Sequence, residues 1–229
     1  MRPSRRMQRP RAILFDWDNT LVDSWGTIHD SLNWLMRAMA MPEWTLAETK
    51  ERVRLSLNEA FPGIFGTRWE QARELYLERF RATHLERLTA LPGREKMLGT
   101  LAADGIFLGV VSNKTGDLLR REVARLGWSD FFGAIVGAGD TGADKPACDP
   151  VHAALAASGV AAGEEVWFVG DTAVDIECAL NSGCIGVLLG ANPAAAEFHR
   201  FSPHLSFADE MALFDALQGL RFGAARPSS

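Results

Sequence analysis

Between Ala12 and Phe15 the chain is continuously apolar, and it stops on Asp16. That pattern predicts a strand buried on both faces, over about 12–16. From Trp25 the period changes. Trp25, Ile28, Leu32, Leu35 and Met39 recur at three- and four-residue steps and predict an amphipathic helix. "MPEW" ends it. Thr45 and Glu48 then form a T-x-x-E capping box that opens a second helix, expected to run to about Ala60. "FPGIFG" (61–66) reads as a turn-rich break. A long helical pattern follows from Arg68 to Leu88, through Trp69, Ala72, Leu75, Tyr76 and Phe80.

At "LPG" (91–93) the style changes again. A helix to about Asp104 leads into "IFLGVVSN" (106–113), a buried strand by its β-branched content. Helix 116–126, strand "AIVGA" (134–138), loop 138–149 and helix 150–158 come next. Strand "VWFVGD" (166–171), helix 173–182, strand "IGVLLG" (185–190) and a helix near 208–217 complete the series. Alternation of strand and helix predicts an α/β fold, a doubly wound parallel sheet with a Rossmann-like core. The first strand must join that sheet, because it is not stable alone. The helical block between is then an insertion. The expected division is a disordered basic leader over 1–11, a core over 12–21 and 91–221, an all-helical cap over 22–90, and a disordered tail over 222–229.

Composition narrows the function classes. Apolar residues make up 47% of the 229, enough for a sizeable core, and the net charge of −5 gives a nucleic-acid role no general support. The opening "MRPSRRMQRPR" carries five arginines but meets no apolar stretch of signal-peptide length before the fold begins. No apolar run reaches the roughly 18 residues of a membrane span. Cys148, Cys178 and Cys184 are odd in number and form no CxxC, which fits buried thiols in a reducing cytoplasm. No nucleic-acid partner and no membrane partner is expected, for a monomer or weak homodimer.

The chemistry collects on one rim. In open parallel sheets ligands bind at the carboxyl ends of the strands. The first strand ends in Asp16 and Asp18, which in an extended segment face the same way. The second ends in Ser112 and Asn113. A later strand ends in Asp171, with Asp175 one helical turn on, and loop 138–149 holds Lys145. Converging carboxylates are costly to bury unless paired, metal-bound or protonated. A divalent cation, Lys145 and one retained proton would bring four aspartates near neutrality. Hard oxygen ligands in this number suit Mg²⁺. Ser112 and Asn113 lead into a helix N-terminus, a ready anion site. Together these parts make a phosphoryl-transfer site. Thr20, Asn113 and Lys114 stand beside it as candidate substrate contacts, with Lys114 equally readable as a solvated helix start.

"FDWDNTLVDS", "VVSNK", "DKPACDP" and "VGDTAVDIECA" occur in order and resemble the four motifs of the haloacid dehalogenase-like hydrolase superfamily. "LPG", "SNK" and a helical cap after the first strand resemble its phosphoglycolate-phosphatase-like subgroup. The resemblance implies roles. Asp16 would be the nucleophile that takes the phosphoryl group. Asp18 would be general acid and then base, its backbone carbonyl touching the metal. Ser112 and Lys145 would hold phosphate oxygens. Asp171 would bind Mg²⁺, with Asp175 in support. Two positions depart from the family pattern. Asn19 replaces the usual glycine, but tolerates unusual backbone angles, and Trp17 replaces a smaller apolar residue and reads as core.

The implied activity is a Mg²⁺-dependent phosphatase acting on a small phosphorylated metabolite, a phosphoglycolate-like monoester, through an aspartyl-phosphate. A phosphomutase or a pyrophosphatase would keep the same motifs. A non-catalytic phospho-ligand-binding module would be expected to lose Asp16 or Asp18, and a dehalogenase does not use a second aspartate two residues on. Arg54 and Arg68, in the irregular middle of the cap, are candidates to hold a substrate carboxylate in a fork. Other signals read as structural. "GAGDTG" (137–142) matches G-x-G-x-x-G, but Pro146 and Pro150 replace the helix a dinucleotide site needs. His29, His84, His152, His199 and His204 lack metal-ligand spacing. Trp25, Trp34 and Trp69 read as cap core.

Overall fold

The computed structural model describes residues 8–53 and 56–223. Its centre is a six-stranded parallel sheet. In chain order the strands are β1 (Ala12–Phe15), β4 (Phe107–Thr115), β5 (Ala134–Ala138), β6 (Val166–Gly170), β7 (Ile185–Leu189) and β8 (Leu205–Phe207), and across the sheet they run β5-β4-β1-β6-β7-β8. A two-stranded antiparallel ribbon, β2 (Val22–Asp23) against β3 (Thr89–Ala90), lies where the chain leaves the core and where it returns.

β1 is central because all four of its residues are apolar and buried. Ile13 and Phe15 join one core cluster, while Ala12 and Leu14 join the cluster on the other face. Helices α5 (Arg94–Ala103), α6 (Gly116–Arg125), α7 (Asp149–Leu155), α8 (Ala173–Asn181) and α9 (Glu210–Gly223) flank the sheet. The strand order switches direction at β1, between β4 and β6, so the crevice of a doubly wound sheet opens directly beyond Phe15. β8 is an edge strand of three residues that the hydropathy pattern does not announce, being only partly buried.

The inserted helices are α1 (Trp25–Ala38), α2 (Leu46–Arg52), α3 (Leu57–Phe65) and α4 (Trp69–Thr83). They enclose their own core, in which Leu32, Leu35, Phe61, Phe65, Tyr76 and Phe80 are buried. The expected capping box of Thr45 and Glu48 is formed. The helix it opens does not run to Ala60, however, because a second box forms between Ser56 and Glu59 and starts α3. "FPGIFG" is therefore mostly helix rather than a break. Phe61 and Phe65, four residues apart, pack inward, Pro62 faces outward, and Gly66 ends the helix at φ 57°.

At the N-terminus, Arg9 is ion-paired with Asp104 at 3.0 Å and Arg11 with Glu165 at 3.4 Å, so the last residues of the expected leader are laid against the core. Among the described residues no helix is long and apolar enough to cross a membrane. Cys148, Cys178 and Cys184 are free thiols. Cys178 and Cys184 are buried and Cys148 is partly so.

Candidate active site

Beyond Phe15 the backbone leaves the sheet. Asp18 forms an isolated bridge with Val22, and Asn19 adopts a left-handed φ of 62° while its Oδ1 accepts the Ser24 N–H. Asparagine thus supplies the tight turn expected of it. The turn also separates the two aspartates. Asp16 looks down onto the sheet crevice, whereas Asp18 is drawn toward β4.

Around Asp16 the carboxylates converge. One oxygen each from Asp16, Asp171 and Asp175 lie within 4.8 Å of one another. Lys145 Nζ donates to Asp16 Oδ1 at 2.6 Å and to Asp175 Oδ1 at 2.7 Å. The other oxygen of Asp175 caps α8, accepting from the Thr172 N–H at 3.0 Å and hydroxyl at 2.7 Å. Gly170 permits this, since a Cβ there would stand 2.3–2.4 Å from the Asp175 side chain. The fourth carboxylate expected in the cluster, Asp18, is not among them; it belongs to a separate ion pair.

Burial, with Asp175 and Asp18 adding their charge, pushes the Asp16 carboxyl up to about 7, against the pull of Lys145. Burial and the charges of Asp175 and Asp16 raise Asp171 well above the carboxylate range. One lysine does not balance three carboxylates, so the cluster holds protons unless another cation is supplied. Three hard oxygen donors short of positive charge fit a divalent ion of the Mg²⁺ kind.

Ser112, at the carboxyl end of β4, is nearly buried and lines the cavity above Asp16. Its Oγ accepts the Lys114 N–H at 3.2 Å, leaving the hydroxyl proton for a ligand.

Four of the candidate substrate contacts lie among the described residues. Asn113 holds the loop that carries Lys145: its Nδ2 donates to the Lys145 carbonyl and its Oδ1 accepts the Lys145 N–H, each at 3.0 Å. Thr20 is fully buried and donates to Asp171 Oδ1 at 3.0 Å. Lys114 lines the cavity, and its side chain is buried rather than solvated. Its Nζ bridges Asp18 at 2.7 Å and Glu122 at 2.5 Å. Burial alone would lower this ammonium's pKa, but the two carboxylates outweigh it and raise it. Arg68 is exposed on a short 3₁₀ turn and does not line the cavity. Arg54 lies outside the described residues.

Glu122 is a residue the hydropathy reading passes over. It is buried in α6, accepts from Trp17 Nε1 at 2.6 Å, and pairs with His84 Nδ1 at 2.7 Å. Burial would raise its pKa, but Lys114 together with hydrogen bonds from His84 and Trp17 brings it below the usual value. The signal was available: Glu122 sits on the stripe of Leu118, Leu119 and Val123, where an apolar residue is expected. Trp17 and His84 are structural as expected. Trp34 and Trp69 pack against the cap core, but Trp25 lines the cavity instead.

An aspartate-bearing strand end, a lysine-bridged carboxylate triad and a helical roof at the switch point of a doubly wound sheet fit a phosphoryl-transfer hydrolase of the capped α/β class. Residues 13–188 match the family model described as haloacid dehalogenase-like hydrolase, and the chain belongs to that family. A phosphoglycolate phosphatase of Xanthomonas campestris pv. campestris is 34% identical over 182 residues, covering 77% of this chain and 81% of that one. One of Photorhabdus laumondii is 29% identical over 203 residues, covering 82% and 85%. The solved structure of a haloacid dehalogenase-like family hydrolase from Streptococcus pneumoniae superposes with a TM-score of 0.80 at 21% identity, covering 92% of this chain and 99% of that one, and shares the fold. Within its family the chain is phosphoglycolate-phosphatase-like, an enzyme of the phosphoric monoester hydrolase kind.

Proposed function

We propose that this enzyme is a Mg²⁺-dependent phosphatase that hydrolyses a small phosphate monoester through an aspartyl-phosphate on Asp16. The observation that carries the reading is the lysine-bridged triad: Lys145 Nζ joins Asp16 and Asp175, and Asp171 completes a set of oxygens within 4.8 Å. Asp16, Asp171 and Asp175, with the Asp18 carbonyl that the family resemblance adds, are the residues that would hold Mg²⁺. When bound, the ion would draw charge off the transferring phosphoryl group.

The substrate phosphoryl group is held by the Ser112 hydroxyl and the Lys145 ammonium. An Asp16 oxygen attacks phosphorus, and the bond from phosphorus to the ester oxygen breaks. Asp18 gives that oxygen its proton and the alcohol leaves. Asp18, now ionised, takes a proton from water as the water oxygen attacks phosphorus. The bond to Asp16 breaks, and inorganic phosphate departs with Asp16 regenerated. Thr20 fixes Asp171, and Asn113 fixes the backbone of Lys145, so both groups are set before substrate arrives. The three free thiols support a cytoplasmic setting, and nothing in the mechanism requires more than a monomer or weak homodimer.

The test is p-nitrophenyl phosphate hydrolysis in Mg²⁺, with and without excess chelator, by wild type and Asp16→Asn. Metal-dependent turnover that the substitution abolishes supports the reading. Turnover that persists in chelator contradicts the metal assignment.

A further inference from the structure

Glu122 joins three stretches of chain that lie far apart in sequence. Its Oε2 accepts the Trp17 indole N–H at 2.6 Å and the Lys114 ammonium at 2.5 Å, and its Oε1 pairs with His84 Nδ1 at 2.7 Å. Trp17 stands between Asp16 and Asp18. His84 caps the C-terminal end of α4, where the cap returns toward the core, and its ring stacks on Phe80 at 5.2 Å. The side chains of Glu122 and His84 are 2% and 1% exposed.

Stability alone does not ask for a carboxylate here. Exchanging a buried ion pair for apolar groups of similar volume is often neutral or stabilising. What Glu122 adds is an anchor. A lysine ends in three donors on a flexible four-carbon stem, so a single contact with Asp18 would supply charge without fixing position. Glu122 takes a second proton of the same ammonium, and the Phe80 ring lies 5.2 Å from it. Trp17 and His84 fix Glu122 in turn. Asp18, at the far end of this chain of contacts, lines the cavity in which the ester oxygen must sit.

We infer that Glu122 is a positioning residue for the proton transfer by Asp18, acting through Lys114 and tied to the cap by His84. This rests on the phosphatase reading and on the acid role proposed there for Asp18.

The experiment measures kcat/KM for benzyl phosphate and p-nitrophenyl phosphate, two esters of similar size of which only the first needs its leaving oxygen protonated. This parameter covers the first phosphoryl transfer and leaves out the later attack of water. Glu122→Gln is expected to lower it about tenfold for benzyl phosphate, part of the roughly 10²–10⁴-fold that acid–base catalysis contributes, and by no more than about threefold for p-nitrophenyl phosphate. Added to Asp18→Asn, the same substitution should cost benzyl phosphate less than about threefold more, because the two act as one unit. Equal losses on both esters, no loss on either, or a further tenfold loss in the double variant overturns the inference. If Glu122→Gln does not fold, Glu122→Asp, which keeps the charge and shortens its reach by one methylene, is read by the same comparison. Asp18→Asn alone separates the two failures. Equal losses on both esters in that variant would sink the acid role of Asp18, and this inference with it. A selective loss there, without one in the Glu122 variants, overturns the inference alone.

Discussion

Lys114 Nζ donates to Asp18 Oδ1 at 2.7 Å across 96 residues of chain. The same ammonium holds Glu122 at 2.5 Å and lies over the Phe80 ring of the cap, 5.2 Å from its centroid. Asp18, the proposed general acid and base, is thus held by a buried cation whose other contacts reach α6 and the cap. Lys114→Met should lower kcat by about 10–100-fold, less than the full acid–base contribution of roughly 10²–10⁴-fold. KM for p-nitrophenyl phosphate should stay within about threefold. A large rise in KM with kcat preserved would return Lys114 to the role of substrate contact.

Asp18→Asn should cost roughly 10²–10⁴-fold with benzyl phosphate, whose alkoxide needs a proton, and less with p-nitrophenyl phosphate, whose leaving group needs none. Steady-state rates on the two substrates check this. Equal losses would argue against Asp18 as the proton donor.

Thr20 touches Asp171 and is fully buried. Loss of a hydrogen bond to a ligating carboxylate typically weakens metal affinity by about 10–100-fold. Thr20→Val should therefore raise the Mg²⁺ concentration for half-maximal activity by about tenfold, with KM at saturating Mg²⁺ little changed. An unchanged Mg²⁺ requirement would dissociate Thr20 from the metal.

The acidic triad makes stability depend on pH. Burial, followed by neighbouring carboxylates, raises Asp16 to about 7 and raises Asp171 as well. An acid whose pKa is raised on folding binds its proton more tightly in the folded state. Its stabilising contribution is complete below the ordinary carboxylate pKa of about 4 and is lost as pH rises toward 7. Metal-free protein should therefore melt lower at pH 8 than at pH 5, and Mg²⁺ should raise the melting temperature more at pH 8. Thermal unfolding in chelator and in Mg²⁺ reads both effects, and a larger Mg²⁺ effect at pH 5 would contradict the triad's electrostatics.

Much of this site was legible because its residues end strands. Asp16, Ser112 and Asp171 follow apolar runs, and a parallel sheet brings those ends together whatever the loops do. Lys145 was legible through its motif. The partners of Thr20 and Asn113 were not, since a hydroxyl or amide on that rim looks alike in sequence whether it faces a ligand or a neighbouring loop. The Lys114–Asp18 pair was hidden for a related reason. The turn at Asn19 cancels the alternation that would have aimed both aspartates one way. In the cap, the Ser56 box competed with a Pro-Gly signal six residues on, and packing of Phe61 and Phe65 decided for helix.

The covalent role of Asp16 is tested most directly by acid-quenching the Asp18→Asn variant during turnover of p-nitrophenyl phosphate and weighing the peptide that carries residue 16. With Asp18 unable to activate water, the peptide is expected to gain the mass of one phosphoryl group, located on Asp16. Turnover with no phosphoryl group on that peptide, or one placed on another residue, would contradict Asp16 as the nucleophile.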